Sequence, residues 1–240
     1  YTDVAKALDA TYRYVAKALD ATYRFDIVPL KTNAHQAVVD VYYGRLANME
    51  NDGLTALNTM LAQDCLCVFV PKGQHTSRPI EIRDILQGNE DCMEHKRMLI
   101  VVEEGAEATV LLHYESPSHA RMLTTQVIEA FVAKDAKLDL YEVEETDLNC
   151  TRFSQVTFDI AQGAQVGHHS ISLFNGLTRN AVEARLRGEG GNVTLNGCVM
   201  ADKHQRVDNH TLIDHQVGHC TSRELYKYIV NDTAVGAFAG

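Results

Sequence analysis

What the chain lacks narrows its function first. No apolar run approaches the roughly 20 residues that a bilayer-crossing helix needs. The opening Tyr1-Thr2-Asp3 has no basic flank leading into an apolar segment, so a signal peptide is not expected. Positive charge is scarce: 22 Lys and Arg face 32 Asp and Glu, a formal charge of −10. A nucleic-acid backbone needs clustered Lys and Arg, and the cytoplasmic face of a membrane is itself anionic, so neither is an expected partner. The cysteines at 65, 67, 92, 150, 198 and 220 include no C-x-x-C pair, and their wide, uneven gaps do not form a disulfide framework. Free thiols in a reducing cytoplasm are expected.

Catalytic signatures are missing as well. Gly188-Glu189-Gly190-Gly191 is followed by no Gly-Lys-Ser/Thr and opens no helix, so it reads as a turn and not a phosphate cradle. There is no G-x-S-x-G elbow. Glu103-Glu104, Glu142 and Glu144-Glu145 read as solvated acidic faces, with no separation suited to glycoside cleavage. An enzyme is not expected.

What is present is a succession of short strands. The apolar fraction of 45% is an ordinary globular value, and 240 residues suffice for one large domain or a domain with a smaller companion. From Pro79 onward the candidates are 79–86, 98–102, 110–114, 124–132, 138–143, 154–160, 181–187, 193–200, 210–217, 225–230 and 234–238. Val156, Phe158 and Ile160 alternate with Gln155, Thr157 and Asp159, and Val182, Ala184 and Leu186 alternate with Glu183, Arg185 and Arg187. A period of two with one apolar face describes strands that cover a core on one side only. No crossover helices intervene, which excludes a doubly wound α/β fold. An antiparallel sandwich and a parallel β-helix both fit, and the scarcity of Asn-Gly hairpin turns leans towards the helix.

Upstream the pattern is mixed. A short strand is expected at 27–30, helices at 34–49 and 53–61, and a strand at 67–70 running into Pro71-Lys72-Gly73. Val4–Arg13 and Val15–Arg24 are identical copies of VAKALDATYR. Their period of eleven fits an amphipathic helix. Yet an undiverged repeat is unusual in a natural domain, so an artefact is expected and the repeat carries no functional weight. The division read here is an N-terminal mixed region over 1–66 and a sheet domain over 67–240.

His204, His210, His215, His219 and Cys220 invite a metal reading, since imidazole and thiolate suit zinc and iron. The weak candidates are His215 and His219, four residues apart and on one face of a continuous strand, with Cys220 beside them. Hydrogen-bonded stacking within the sheet is the favoured role for these side chains. His168 and His169 point to opposite faces of any strand, one packed and one solvated. Cys65 and Cys67 share a face and Cys198 follows Gly197, but buried thiols usually serve as small hydrophobes.

Several stretches carry a family resemblance: ALNT…QD…V-x-V-P-K-G ending at Gly73, VVEEGAEATVLL from Val101, TTQVIEAFV from Thr124, LDLYEVEET from Leu138, NGLTRNAVEARLRGEG from Asn175, ADKHQRVDNHT from Ala201, and the run from Asp208 to Gly240. In that order they resemble the SufB/SufD family of SUF iron–sulfur cluster assembly scaffolds, nearer its SufD branch, over about 52–240. The resemblance implies an all-β dominated chain, a right-handed parallel β-helix with a small mixed α/β N-terminal region. It implies a non-catalytic cytoplasmic scaffold that pairs with a SufB-type subunit and a SufC-type ATPase, self-associates in isolation, and shares a transient iron–sulfur cluster with its partner. The junction is expected around Thr221–Phe238, with Thr221, Glu224, Tyr226 and Tyr228 at the interface. Family members continue past this segment through a K-C-S-H-G-like motif to helices that contact the ATPase. That motif has no counterpart here, so a fragment is expected. The alternatives are a SufB-type sibling, or an extracellular polysaccharide lyase built on a β-helix.

Overall fold

The computed structural model describes residues 12–17, 24–29, 36–47, 49–50, 52–88, 90–117 and 119–240. Strands β1 (Tyr12–Lys17) and β2 (Arg24–Pro29) precede helices α1 (Gln36–Tyr42) and α2 (Gly53–Leu61). Then come β3 (Asp64–Val70), β4 (Ile80–Leu86), β5 (Cys92–Val102), β6 (Glu107–Glu115), β7 (Met122–Val132) and β8 (Lys137–Glu145). The series continues with β9 (Cys150–Ile160), β10 (Gln165–Phe174), β11 (Leu177–Leu186), β12 (Asn192–Ala201), β13 (Arg206–His215), β14 (Thr221–Val230) and β15 (Val235–Ala239). Even-numbered strands from β4 to β14, with β1 at one edge, form a seven-stranded sheet, and odd-numbered strands from β3 to β15, with β2 at one edge, form an eight-stranded one.

From β3 onward every neighbouring pair is parallel, and each coil lies on the one before. This is a parallel β-helix, and the antiparallel sandwich is excluded. A coil takes 26 to 32 residues, from Thr151 paired with Leu177 to Leu66 paired with Met98. Because the register repeats, equivalent side chains fall into columns. Met98, Ile128, Val156 and Val182 form one, and Ile100, Ala130, Phe158 and Ala184 the next. Both belong to the main apolar core between the two sheets.

The corners that lead from the odd to the even sheet are tight. Ala106, Ala136, Ala164 and Gly191 each donate their N–H to the carbonyl three residues back. The residue before each turns left-handed: Gly105, Asp135, Gly163 and Gly190 have φ of 65°, 56°, 66° and 76°. At Gly163 glycine is required twice over, because an added Cβ would also lie 2.2 Å from Asp135 Oδ1 in the coil below. The Gly188–Gly191 stretch is such a corner, as its composition indicates.

The strand forecast succeeds at most positions and fails at β10. That segment carries Gly167, His168, His169, Ser170 and Ser172, so its inward positions are not apolar enough to signal a strand. The forecast helix at 34–49 is limited to Gln36–Tyr42. Residues Tyr12–Lys17 of the duplicated segment form a strand, paired antiparallel with β4, in place of the helix its period suggested. The remainder of the duplication lies outside the described residues.

Helices α1 and α2 cover the outer face of the odd sheet. Asp52 caps α2 by accepting from the N–H groups of Leu54 and Thr55, both at 3.2 Å. Buried Asn58 donates to the Lys96 and Thr125 carbonyls of β5 and β7, each at 3.0 Å. The loop after α1 is fixed by Glu129 of β7, whose carboxylate accepts from Gly44 N–H at 2.9 Å, Leu46 N–H at 2.7 Å and Ala47 N–H at 3.1 Å. Arg97 of β5 completes the shell, donating from Nη2 to Glu129 at 2.6 Å while its guanidinium lies over the Tyr43 ring at 4.5 Å. Both ionised side chains are 1% exposed. Removing one member of such a pair leaves the other charged and unmatched in the interior. Glu129→Ala is therefore expected to lower unfolding free energy by about 3–5 kcal/mol in denaturant titrations. Amide exchange at Gly44–Ala47 should accelerate before that of the core strands; unchanged protection of this loop would contradict the assignment.

Candidate functional site

The last two coils hold the residues singled out by sequence. His215 ends β13, exposed, with Nε2 3.1 Å from Ser222 Oγ. His219 lies in the following corner at φ 60°, a left-handed conformation unusual for a residue with a Cβ. The strand ends between them, so the shared strand face on which their pairing depended is not present. Cys220 leans against the core, its Sγ 3.3 Å from the Gly188 carbonyl. Among the described residues no group of three or more His, Cys, Asp and Glu is arranged to hold a metal ion.

Thr221 points outward and accepts from Asn192 Nδ2 at 2.5 Å. Glu224, Tyr226 and Tyr228 stand over Leu195, Gly197 and Val199, on the side that faces the coil interior. Tyr226 occupies a slot that exists because residue 197 is glycine: a Cβ there would lie 2.1 Å from its Cδ1. Its ring meets that of Phe238 at 4.8 Å between centroids. Tyr228 accepts from Asn209 Nδ2 at 2.6 Å and donates to the Ala237 carbonyl at 2.9 Å. Burial pushes both phenols above the usual tyrosine range.

Behind Tyr228 runs a polar column that sequence reading missed. Gln126 donates to the Tyr114 hydroxyl at 2.6 Å, and Tyr114 donates to Glu142 at 2.6 Å. Arg152 donates from Nη2 to Glu142 at 3.0 Å and from Nη1 to Asn180 at 2.8 Å, with its guanidinium 4.1 Å from the centre of the Tyr114 ring. Asn180 donates to Asn209 at 2.9 Å, and Asn209 reaches Tyr228. Donor and acceptor thus alternate without a gap across the stacked coils from Gln126 to the Ala237 carbonyl. His168 joins at the side, Nε2 2.8 Å from Glu142, while its ring partner of the sequence pair, His169, stacks outside on Tyr141 at 4.6 Å. Glu144 accepts from Thr178 at 2.7 Å and from Thr146 at 3.3 Å.

Burial opposes ionisation of Glu142, but the hydrogen bond from His168 and the Arg152 charge outweigh it and hold the carboxyl down to about 2. Burial raises Glu144 and Tyr114. Within the column a fixed carboxylate and a fixed guanidinium are aligned with neutral donors. It can therefore orient charge along the coil interior. The reading of Glu142 and Glu144 as solvated faces is corrected. They follow Leu138 and Leu140 in phase two, on the inward side, and are 6% and 2% exposed. That phase was the available signal.

A second buried cluster opens the column at its other end. Lys96 Nζ contacts Asp84 and lies 3.7 Å from Glu94. Two carboxyl groups share one lysine, and Asp84 Oδ1 and Glu94 Oε2 have no hydrogen-bond partner. Burial raises Glu94 to about 8, with Lys96 opposing and the Asp84 and Asp64 charges adding to the rise. The folded state thus binds this proton more tightly than the unfolded chain, where the carboxyl titrates near 4.5. The stabilising contribution is full below about 4.5 and is lost as pH rises through about 8. Glu94→Gln should remove that decline, leaving the variant a few kcal/mol more stable than the parent above pH 8 in thermal or denaturant melts. Parallel pH–stability curves for the two proteins would refute the assignment.

With this geometry in place, comparison with known proteins is specific. Residues 84–240 match the family model for the SUF system FeS cluster assembly SufBD core domain, and residues 30–82 match the SufBD protein N-terminal region. The iron–sulfur cluster assembly protein SufD of Escherichia coli is 30% identical over 187 residues, covering 77% of this chain and 44% of that protein. The chloroplastic protein ABCI7 of Arabidopsis thaliana is 27% identical over 187 residues, 73% of this chain and 38% of its own length. A SufBD family protein of Mycobacterium tuberculosis is 26% identical over 161 residues, 67% of this chain and 39% of its own length. The chain therefore spans less than half the length of these relatives. A polysaccharide lyase reading has no support among these matches. Stacked parallel coils, an N-terminal helical cover and two adjoining family matches lead to one conclusion: the chain belongs to the SufBD family of SUF iron–sulfur cluster assembly proteins.

Proposed function

We propose that this chain is the SufD-type scaffold subunit of a SUF assembly, pairing with a SufB-type subunit and a SufC-type ATPase in the cytoplasm. It carries out no catalysis of its own, and the nascent iron–sulfur cluster is cargo shared with the partner. The observation that carries this reading is the match of residues 84–240, most of the coil stack, to the SufBD core, together with the 30% identity to a protein named SufD. The N-terminal mixed region to residue 66 is proposed to serve as a cover on the β-helix of 67–240. No helix among the described residues is long and apolar enough to cross a membrane.

The junction is proposed to lie on the coil that carries Thr221, Glu224, Tyr226 and Tyr228. Thr221 and Glu224 are exposed there, while Tyr226 and Tyr228 set the coil against Phe238 and Asn209. His215, His219 and Cys220 border this coil and are proposed as structural side chains there. The test is co-purification of the full-length protein with SufB-type and SufC-type subunits. A stable ternary complex is expected, and Thr221→Arg with Glu224→Arg should reduce recovery of the SufB-type partner by about tenfold or more. Failure of the unaltered protein to form the complex would overturn the reading, and full recovery with the double variant would relocate the junction.

A further inference from the structure

One column of the coil stack is built of sulfur. Cys92 of β5 pairs with Met122 of β7, and Met122 with Cys150 of β9, so the three stand one above another across consecutive coils. All three share the inward phase of their strands. Met122 and Cys150 are each 2% exposed, and they pack with Leu86, Ala120 and the half-buried Cys92 in a small cluster of their own. Both thiols are free. An open surface groove of about 640 Å³, lined in part by Cys92, Met122, Arg121 and Asn149, reaches this cluster from outside. The polar column uses none of these residues.

The coil spacing matches a particular chemistry. Adjacent parallel strands lie about 4.7–4.9 Å apart. Two metal–sulfur bonds of about 2.3 Å in line span nearly the same distance. Thiolate and thioether ligands select soft monovalent ions over harder ones such as magnesium or calcium. We propose that Met122 and its flanking cysteines form a binding site for one soft monovalent cation of the cuprous class, held between the thioether and one thiolate. Because both gaps share Met122, the column takes a single ion. Binding then releases one proton from a cysteine to solvent, with no change in oxidation state. The site stands independently of the scaffold reading.

The test is an anaerobic titration of the purified protein with Cu(I) against a coloured Cu(I) chelator. One ion per chain is expected. Met122→Leu keeps the side-chain volume and should keep the fold, yet weaken binding by about 10–100-fold. Cys92→Ala with Cys150→Ala should abolish it, with circular dichroism confirming the native spectrum. Excess Zn(II) should not displace the ion. Unchanged affinity in Met122→Leu, retained binding in the double cysteine variant, or ready displacement by Zn(II) would each overturn the proposal. The Met122→Leu result decides the matter even if the cysteine variants fold poorly.

Discussion

Everything in this molecule depends on the parallel backbone ladder that holds each coil at a fixed register on the one below. Its hydrogen bonds join the main chain of successive coils, and their spacing converts the sequence into vertical columns. In the main core a column keeps one chemistry, because a change of side chain in one coil is felt by the neighbours above and below. Met98, Ile128, Val156 and Val182 show the apolar case, stacked without a gap in the main core. The tight corners keep the register from slipping, since a left-handed residue at each of them fixes the coil length.

The same ladder makes an interior polar column tolerable. A lone arginine or glutamate in a β-helix core would be severely destabilising. Arg152 and Glu142 persist because adjacent coils deliver partners at the coil spacing: Tyr114 below, His168 and Asn180 above. Each donor has an acceptor, which is the condition under which a buried network rigidifies a core instead of weakening it. The exceptions, Asp84 Oδ1, Glu94 Oε2 and His168 Nδ1, lie at the side and at the first-coil end of the column. Those are the positions where its charge is least compensated.

The N-terminal cover follows the same physics by other means. Its helices are short, seven and nine residues, and would be marginal alone. They are held by side chains that rise from the outer face of the odd sheet, with Glu129 collecting three backbone N–H groups and Asn58 reaching down to two strand carbonyls. Tyr42 on Phe131, 4.8 Å between ring centroids, adds an apolar contact. The family matches at 30–82 and 84–240 thus meet in one packed body.

Much of the architecture was legible beforehand. Period-two alternation in segments such as Ala181–Arg187 marked strands with one buried face, and quoted stretches from Gly73 to Gly240 pointed to the SufB/SufD family. The helix at Gly53–Leu61 was found to the residue because Asp52 and Gly53 announce its start. The duplicated N-terminal segment misled, since its period of eleven suits a helix while Tyr12–Lys17 pairs with β4. By itself the sequence determined the strand phase of segments such as Ala181–Arg187, the corner at Gly188–Gly191 and the family resemblance, because these depend on spacing and order along the chain. Only the tertiary structure decided which residues of different coils stand together: Glu142 with Arg152 and His168, Glu129 with the loop at Gly44, and Cys92 with Met122 and Cys150. The reason is that the coil length varies between 26 and 32 residues, so no fixed interval along the chain identifies a vertical neighbour.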